Sequence, residues 1–255
     1  MIAAASTSLR STVYGEIDLD DPAELYHEAS KLYPALRERQ AAGIVRLAQD
    51  DALQAAAQHP VRRNRQLRSI ELDAPSPPAA SLWSAIADRH SGHAFTGTLG
   101  IDALATMLLA GYGARAVPSG GALYPLEVYV AARRVTGLPR GILHLDPERR
   151  VLEILVEGDL ADELDAAMPA PEVLADASAV IFVTAVFWRT RFKYGLRGYR
   201  FALLEAGHVM QNVLLAATAL GVTAFPLGGF YDAAVEELLG VDGIDESVLY
   251  GAVLG

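Results

Sequence analysis

The 255-residue sequence contains no cysteine, which excludes disulfides, thiolate nucleophiles, iron–sulfur clusters and cysteine-held zinc together. The same absence fits a reducing compartment, and a cytoplasmic location is the expectation. Basic side chains are in the minority: 21 Lys and Arg stand against 31 Asp and Glu, for a formal net charge of −10. Nucleic-acid binding needs clustered cations to neutralise phosphates, so this balance argues against it. It does not repel a neutral or basic peptide. No run approaches the roughly 18 uninterrupted apolar residues of a membrane span. The opening MIAAASTSLRSTVYGE lacks the apolar core and cleavage site of a signal peptide. None of the six histidines stands at metal-ligand spacing and no HExxH occurs, so no metal site is expected. GxSxG and GxGxxG are also missing, which leaves a serine hydrolase and a dinucleotide-binding dehydrogenase without support.

What is present is ample apolar material, 52% of residues, and a change of character along the chain. Residues 1–80 are rich in Ala and Arg and read as a helical N-terminal extension. Asp21-Pro22 predicts a helix start, with Asp as N-cap and Pro in the first turn. Leu25, Ala29 and Leu32 are then expected on one face, and a second helix over 45–58. Arg62, Arg63, Arg65 and Arg68 read as a solvated stretch or as a contact for a peptide. APSPPAAS (74–81) reads as a loop.

From Ser81 onward the pattern is α+β. Ser81 can cap a helix running to about His90. Another is expected over 101–110, ended by Gly111 and Gly113. LEVYVAAR (126–133) is rich in strand formers, and GILHL and VLEILVE flank Asp146-Pro147-Glu148 as a hairpin. SAVIFVTAVF (178–187) reads as a strand covered on both faces. The 199–220 stretch is apolar almost all round and stops at Gly221, which predicts a helix deeply buried or set in a subunit interface. His208, inside it, reads as a core histidine. A short strand (223–225), a helix from Asp232 and a last strand (248–253) complete the pattern.

Three places could carry chemistry. In VPSGGALYPLE (117–127), a Pro-Ser-Gly-Gly turn exposes backbone N–H groups to a planar or anionic ligand, and reads equally as a tight turn. RFKYGLRGYR (191–200) packs four cations and two tyrosines before the apolar helix. Cations at a helix N-terminus oppose its dipole, which points to an anionic partner or a structural salt-bridge cluster. Lys193 beside Tyr194 is a candidate acid/base pair, because an ammonium favours a neighbouring phenolate. FPLGGFYD (225–232) sets another glycine pair at a strand end.

Taken in order, ELYHEASKLYP (24–34), PSGGALYPLEVYV (118–130), KYGLRGYRFALLEAGHVMQN (193–212) and LGGFYD (227–232) resemble the segments of SagB-type dehydrogenases, within the nitroreductase-like flavoprotein superfamily. The resemblance runs from about residue 24 to 255. It implies a nitroreductase-like α+β fold over 81–255, with a mostly antiparallel sheet flanked by helices. It also implies a homodimer with two FMN sites at the interface, and oxidation of peptide or carrier-bound thiazolines and oxazolines to azoles. In the family an Arg-x-Ser-x-Lys/Arg segment faces the flavin. Here it is Arg89-His90-Ser91-Gly92-His93, with His93 where the family has a cation. Pro118, Ser119, Gly120 and Gly121 match a flavin-facing loop, and Gly228 and Gly229 match the turn whose N–H reaches flavin N5. Lys193 and Tyr194 match the catalytic Lys-Tyr pair. Relatives hold the FMN phosphate with basic residues after the last strand. This sequence ends at Gly255, so Arg89, Arg197 and Arg200 are the expected phosphate contacts, the latter two alternatively holding their loop. Two further readings are an NAD(P)H-dependent nitro- or quinone reductase and a flavin-less scaffold partnering a cyclodehydratase.

Overall fold

The apolar stretch 178–187 forms the strand around which the chain is organised: β7, Ala179–Val186, has all eight residues buried. The computed structural model describes residues 20–58, 66–76, 78–95, 99–113 and 116–255. Beside β7 lie β3 (Leu126–Ala132) and β9 (Glu246–Leu254), then β5 (Gly141–Asp146), β6 (Val151–Glu157), β1 (Ser69–Glu71) and β8 (Ala224–Leu227). The order is β1-β6-β5-β3-β7-β9-β8, and every adjacent pair is antiparallel. The expected β5–β6 hairpin forms. Asp146 Oδ1 accepts from the N–H groups of Glu148 (3.1 Å) and Arg149 (2.9 Å), the bond pattern of an Asx turn. A separate parallel pair joins β2 (Leu99–Gly100) to β4 (Val135–Thr136). β1 carries residues 69–71, from the Arg-rich stretch, into the main sheet.

Period-two alternation sends the two faces of the sheet into two cores. Val128, Val130, Ile181 and Val183 pack under two helices, α5 (Ile101–Tyr112) and α8 (Leu196–Leu220). Tyr129, Ala131, Val180 and Phe182 pack on the other side under α6 (Ala161–Ala166), the turn Pro171–Leu174 and α9 (Asp232–Leu239). Each layer fixes the register, because a one-residue slip would exchange the cores.

The α8 helix begins three residues before its expected start. It stops where Gly221, in the left-handed conformation, donates to the Ala217 and Thr218 carbonyls. Among the described residues it is the helix long and apolar enough to pass for a membrane span, yet one face packs on the sheet and on α5. The other face is open. Leu203 and Leu204 are exposed, and so is His208, which corrects its reading as a core histidine. The sequence showed an apolar helix but not which stripe would meet the sheet. Gly111 does not end α5. It lies inside the helix at the crossing with α8, where a Cβ would stand 2.6 Å from Val213 Cγ2; Gly113 makes the cap.

At the N-terminal end, Asp21 Oδ1 accepts from Ala23 N (2.8 Å) and Pro22 opens α1 (Pro22–Ala29) as expected. Leu25 and Leu32 do not form a buried face; both are exposed and Leu32 falls after the helix. In place of one helix over 45–58 there are two, α2 (Arg37–Gln49) and α3 (Asp51–Gln58). They part at Asp50, whose backbone is extended and whose carboxylate accepts from Leu53 N (2.9 Å) as a cap. Arg62, Arg63 and Arg65 lie outside the described residues. Arg68 makes an exposed ion pair with Glu157 (2.6 Å) beside the β1–β6 pairing.

Candidate functional site

The cationic decapeptide 191–200 folds as an elbow between two helices. α7 (Trp188–Tyr194) ends at Gly195, whose φ of 58° few other residues adopt, and α8 starts immediately after. Thr190 Oγ1 ties the elbow by donating to Gly198 O (3.0 Å), and a Cβ on Gly198 would stand 2.8 Å from Thr190 O. An ion pair fixes α7 to the sheet, with Arg189 Nη1 2.6 Å from the buried Glu127 Oε1 on β3.

This elbow presents Lys193 and Tyr194 to the glycine-rich loop before β3. Gly121 has φ 66°, and a Cβ there would stand 2.6 Å from Lys193 Nζ and collide with Tyr194 Oη. Lys193 Nζ lies 5.1 Å from the centre of the Tyr194 ring, and that ring stands edge-on to Phe201 at 5.0 Å. Gly120 closes against the same Phe201, 2.9 Å from where its Cβ would stand to Cδ2. Ala122 and Tyr124 also hold positive φ, a conformation that costs L residues on the order of 1–3 kcal/mol and persists only where the surroundings impose it. The structure therefore brings Lys193, Tyr194, Gly120 and Gly121 together.

The loop is anchored from below by groups that sequence reasoning missed. Ser119 Oγ accepts from Tyr124 N (2.9 Å). Glu205, 1% exposed on α8, accepts from Tyr112 Oη (3.3 Å), which itself accepts from Leu126 N (3.2 Å). Burial pushes the Glu205 carboxyl up to about 7, with the Ser119 and Tyr112 hydroxyls offsetting part of the effect. Its signal was present in the sequence as one carboxylate within an apolar helix. A second unforeseen group is His144 on β5, wholly buried between Glu127 Oε2 (2.8 Å) and Glu153 Oε2 (3.3 Å). Desolvation opposes its charge, but the hydrogen bonds that its ring N–H groups donate to both carboxylates outweigh it and raise the imidazole to about 9. Arg149 also reaches Glu153 (3.1 Å). This network holds Glu127, and through Arg189 the α7 helix.

The 89–93 segment lies elsewhere. α4 (Leu82–Asp88) is capped by Ser81 Oγ, which accepts from Ser84 N (3.1 Å). The chain then extends from Arg89 along β8: Gly92 N donates to Ala224 O (3.0 Å) and His93 packs on Phe225, ring centres 4.4 Å apart. Ser91 and His93 are exposed, and His90 Nδ1 faces Asp88 O (2.9 Å). Arg89 is half-buried and has no ion-pair partner among the described residues. Just past β8 stand Gly228 and Gly229. Neither has positive φ, and a Cβ on either would meet nothing within 4 Å. Neither conformation nor packing in this chain demands glycine there. Bare backbone of this kind is what a planar anionic ligand approaching the main chain would use, and the 228–229 turn fits such a group.

Register shows how far the 89–93 segment lies from the loop and the elbow. Ala224 lies abreast of Leu254 and Ala179, whereas Leu126 lies abreast of Ala185. Six strand residues separate the two levels, about 20 Å at roughly 3.3 Å per residue. Within one chain, the 89–93 segment does not meet Gly121, Lys193 or Tyr194.

Arg197 and Arg200 face the N-terminal helices. Arg197 Nη1 donates to Ser30 O (3.3 Å) and Arg200 Nη2 to His27 O (2.6 Å), while Tyr26 Oη donates to Leu196 O (3.2 Å). The arrangement is a clamp that seats α1 on the elbow. Pro118, exposed, opens the loop above it.

Comparison with known proteins adds the following. The sequence profile of the Nitroreductase family matches residues 86–255. A Methanocaldococcus jannaschii protein named putative nitroreductase MJ1384 is 39% identical over 53% of this chain and 72% of its own length. The Escherichia coli Microcin B17-processing protein McbC is 29% identical over 50% of this chain. The chain spans about half of McbC's length, 49%. Among solved structures, a chain of the E. coli microcin synthetase McbBCD complex with truncated pro-MccB17 bound superposes with a TM-score of 0.58 at 22% identity, covering 91% of each chain.

Proposed function

We propose, from the premise that this chain belongs to the nitroreductase family, that it is an FMN-dependent dehydrogenase converting azolines in a peptide or carrier-bound precursor to azoles. One observation carries this reading: Lys193 and Tyr194 converge on the glycine of the 118–121 loop, so a proton acceptor stands where a ligand-facing backbone is bare. The likeness to McbC, whose name assigns it to microcin processing, supports a role in processing a peptide.

FMN, when bound, supplies the hydride acceptor. The chain's own residues do the rest. Arg89 and the 228–229 backbone would hold the flavin from one subunit, and the 118–121 loop with Lys193 and Tyr194 would approach from the other. The roughly 20 Å that separates the level of the 89–93 segment from that of the 118–121 loop in a single chain supports a homodimer as the working unit. Exposed apolar side chains suited to it are Leu82, Trp83 (78% exposed) and Ile86 on α4, which packs on α8, and Leu203 and Leu204 on α8 itself. Exposed apolar surface of this kind is a common subunit contact. At the reacting centre Tyr194 accepts the ring proton, with the Lys193 ammonium alongside to stabilise the phenolate needed for that role. A cyclodehydratase, which makes the azoline, is the partner this reading implies.

The test is an absorbance spectrum of the purified protein followed by mass spectrometry of azoline peptides. The expected result is bound flavin and loss of two hydrogens per ring. Lys193→Ala and Tyr194→Phe abolish azole formation with flavin retained; near-normal turnover in both variants overturns the assignment. The 39% identity to MJ1384 favours a second reading, an NAD(P)H-dependent nitro- or quinone reductase. Bleaching of the flavin by NADPH without peptide would select it.

A further inference from the structure

We propose that the cleft between the N-terminal helices and the α7–α8 elbow receives an acidic stretch of the substrate peptide, next to the ring being oxidised. The proposal rests on the reading of the substrate as a peptide. The cleft has a volume of about 500 Å³ and is bounded by residues 29–43 on one side and 191–197 on the other. Such a volume encloses a ligand of drug size or a short peptide segment.

Its chemistry is out of keeping with the rest of the chain. In a protein of net charge −10, the lining holds Lys31, Arg191, Lys193 and Arg197 and, among the described residues, no Asp or Glu. Lys31 is paired at the rim with Glu28, and Arg197 gives one N–H to the Ser30 carbonyl, which does not cancel its charge. Arg191 and Lys193 have no carboxylate partner among the described residues. Cations gathered along a low-dielectric wall concentrate the field on an anionic guest. Leu36 and Phe192 supply apolar surface between them, so acidic and apolar side chains alternating along an extended peptide match the lining.

The cleft also leads to the reacting centre, because Lys193 and Tyr194 belong both to its wall and to the contact with Gly121. It is preformed. Gly43 packs directly on the Phe192 and Lys193 carbonyls, and the Tyr26, Arg197 and Arg200 bonds hold α1 in place. A preformed wall loses little ordering entropy when a peptide binds.

The experiment measures fluorescence anisotropy of three short dansyl-labelled peptides, in which Leu alternates with Glu, Gln or Lys, against the full chain. None contains an azoline. The Glu peptide is expected to bind most tightly and to weaken with added salt. The double reversal Lys31→Glu/Arg191→Glu should lower its affinity about tenfold, the result of small rim contributions changing sign at two positions. Arg191→Gln, which leaves the Lys31–Glu28 pair intact, should give an intermediate loss with an unchanged melting temperature. Equal binding of the three peptides, or an unchanged Glu-peptide affinity in both variants, overturns the proposal. Tighter Glu-peptide binding after removal of residues 1–19 assigns the cleft to the chain's own N-terminal segment and overturns it too. Loss of azole formation in the mass-spectrometric assay with peptide binding preserved defeats the reaction reading alone. Azole formation with no charge preference defeats the cleft alone.

Discussion

Lys193 Nζ stands 2.6 Å from the point that a Cβ on Gly121 would occupy, so the amine and the glycine loop share one site although 72 positions separate them in the chain. Local sequence marks each as unusual. Only the antiparallel pairing of β3 with β7, which sets Leu126 opposite Ala185, puts the loop before one strand beside the elbow after the other.

Gly121→Ala follows from that contact. The left-handed φ of 66° costs an L residue on the order of 1 kcal/mol, and the new methyl displaces both Lys193 and Tyr194. Azole formation should fall about tenfold or more, since ångström-scale misplacement of reacting groups is enough for that. Steady-state rates with a flavin spectrum check it. An unchanged rate would show that the pair does not act at this loop.

Gly229→Val separates binding from folding. A Cβ here meets nothing within 4 Å and φ is ordinary, so the melting temperature of the flavin-free protein should not change. If the bare backbone faces FMN, the added side chain should weaken flavin binding about tenfold, read by fluorescence titration. Full flavin retention would remove Gly229 from the site.

Glu205 gives the protein a pH dependence whose sign is fixed. Its carboxyl is pushed up to about 7 in the fold from an ordinary 4.5, so between these values the folded chain keeps a proton that the unfolded chain has released. The contribution of Glu205 to stability is therefore fully present below pH 4.5 and is lost as pH rises through about 7, by on the order of 3 kcal/mol. Glu205→Gln should flatten urea midpoints between pH 5 and 7. A parallel slope in the variant would exclude Glu205 as its source.

His144 acts at higher pH. Raised from 6.5 to about 9, it contributes stability that is present below pH 6.5 and lost as pH rises through about 9. His144→Leu leaves Glu127 and Glu153 facing each other without the imidazole, and breaking a buried charged pair costs about 3–5 kcal/mol. Denaturant unfolding should show the loss at pH 6 and less of it at pH 10.

Arg200→Ala tests the clamp. Loss of the bond to His27 O should make the 20–36 region more susceptible to limited proteolysis. If Arg200 only clamps, bound flavin is unchanged; if it also contacts the phosphate, flavin content falls as well.

Several elements could be read directly from local chemistry. The apolar stretch 178–187 became β7, Asp21-Pro22 and Ser81 started helices, and Gly221 ended α8, because caps and runs act over a turn or two of chain. The Lys193-Tyr194, 118–121 and 228–229 motifs were equally visible as residues. What only the tertiary structure decided is which of them meet. Periodicity shows that a helix has an apolar side but not which neighbours will cover it, so Leu25 and His208 lie open and Gly111 marks a helix crossing. Glu205 and His144 acquire their proton affinities from partners that strand register and helix packing bring together from distant parts of the chain, and desolvation by those same layers sets their charge.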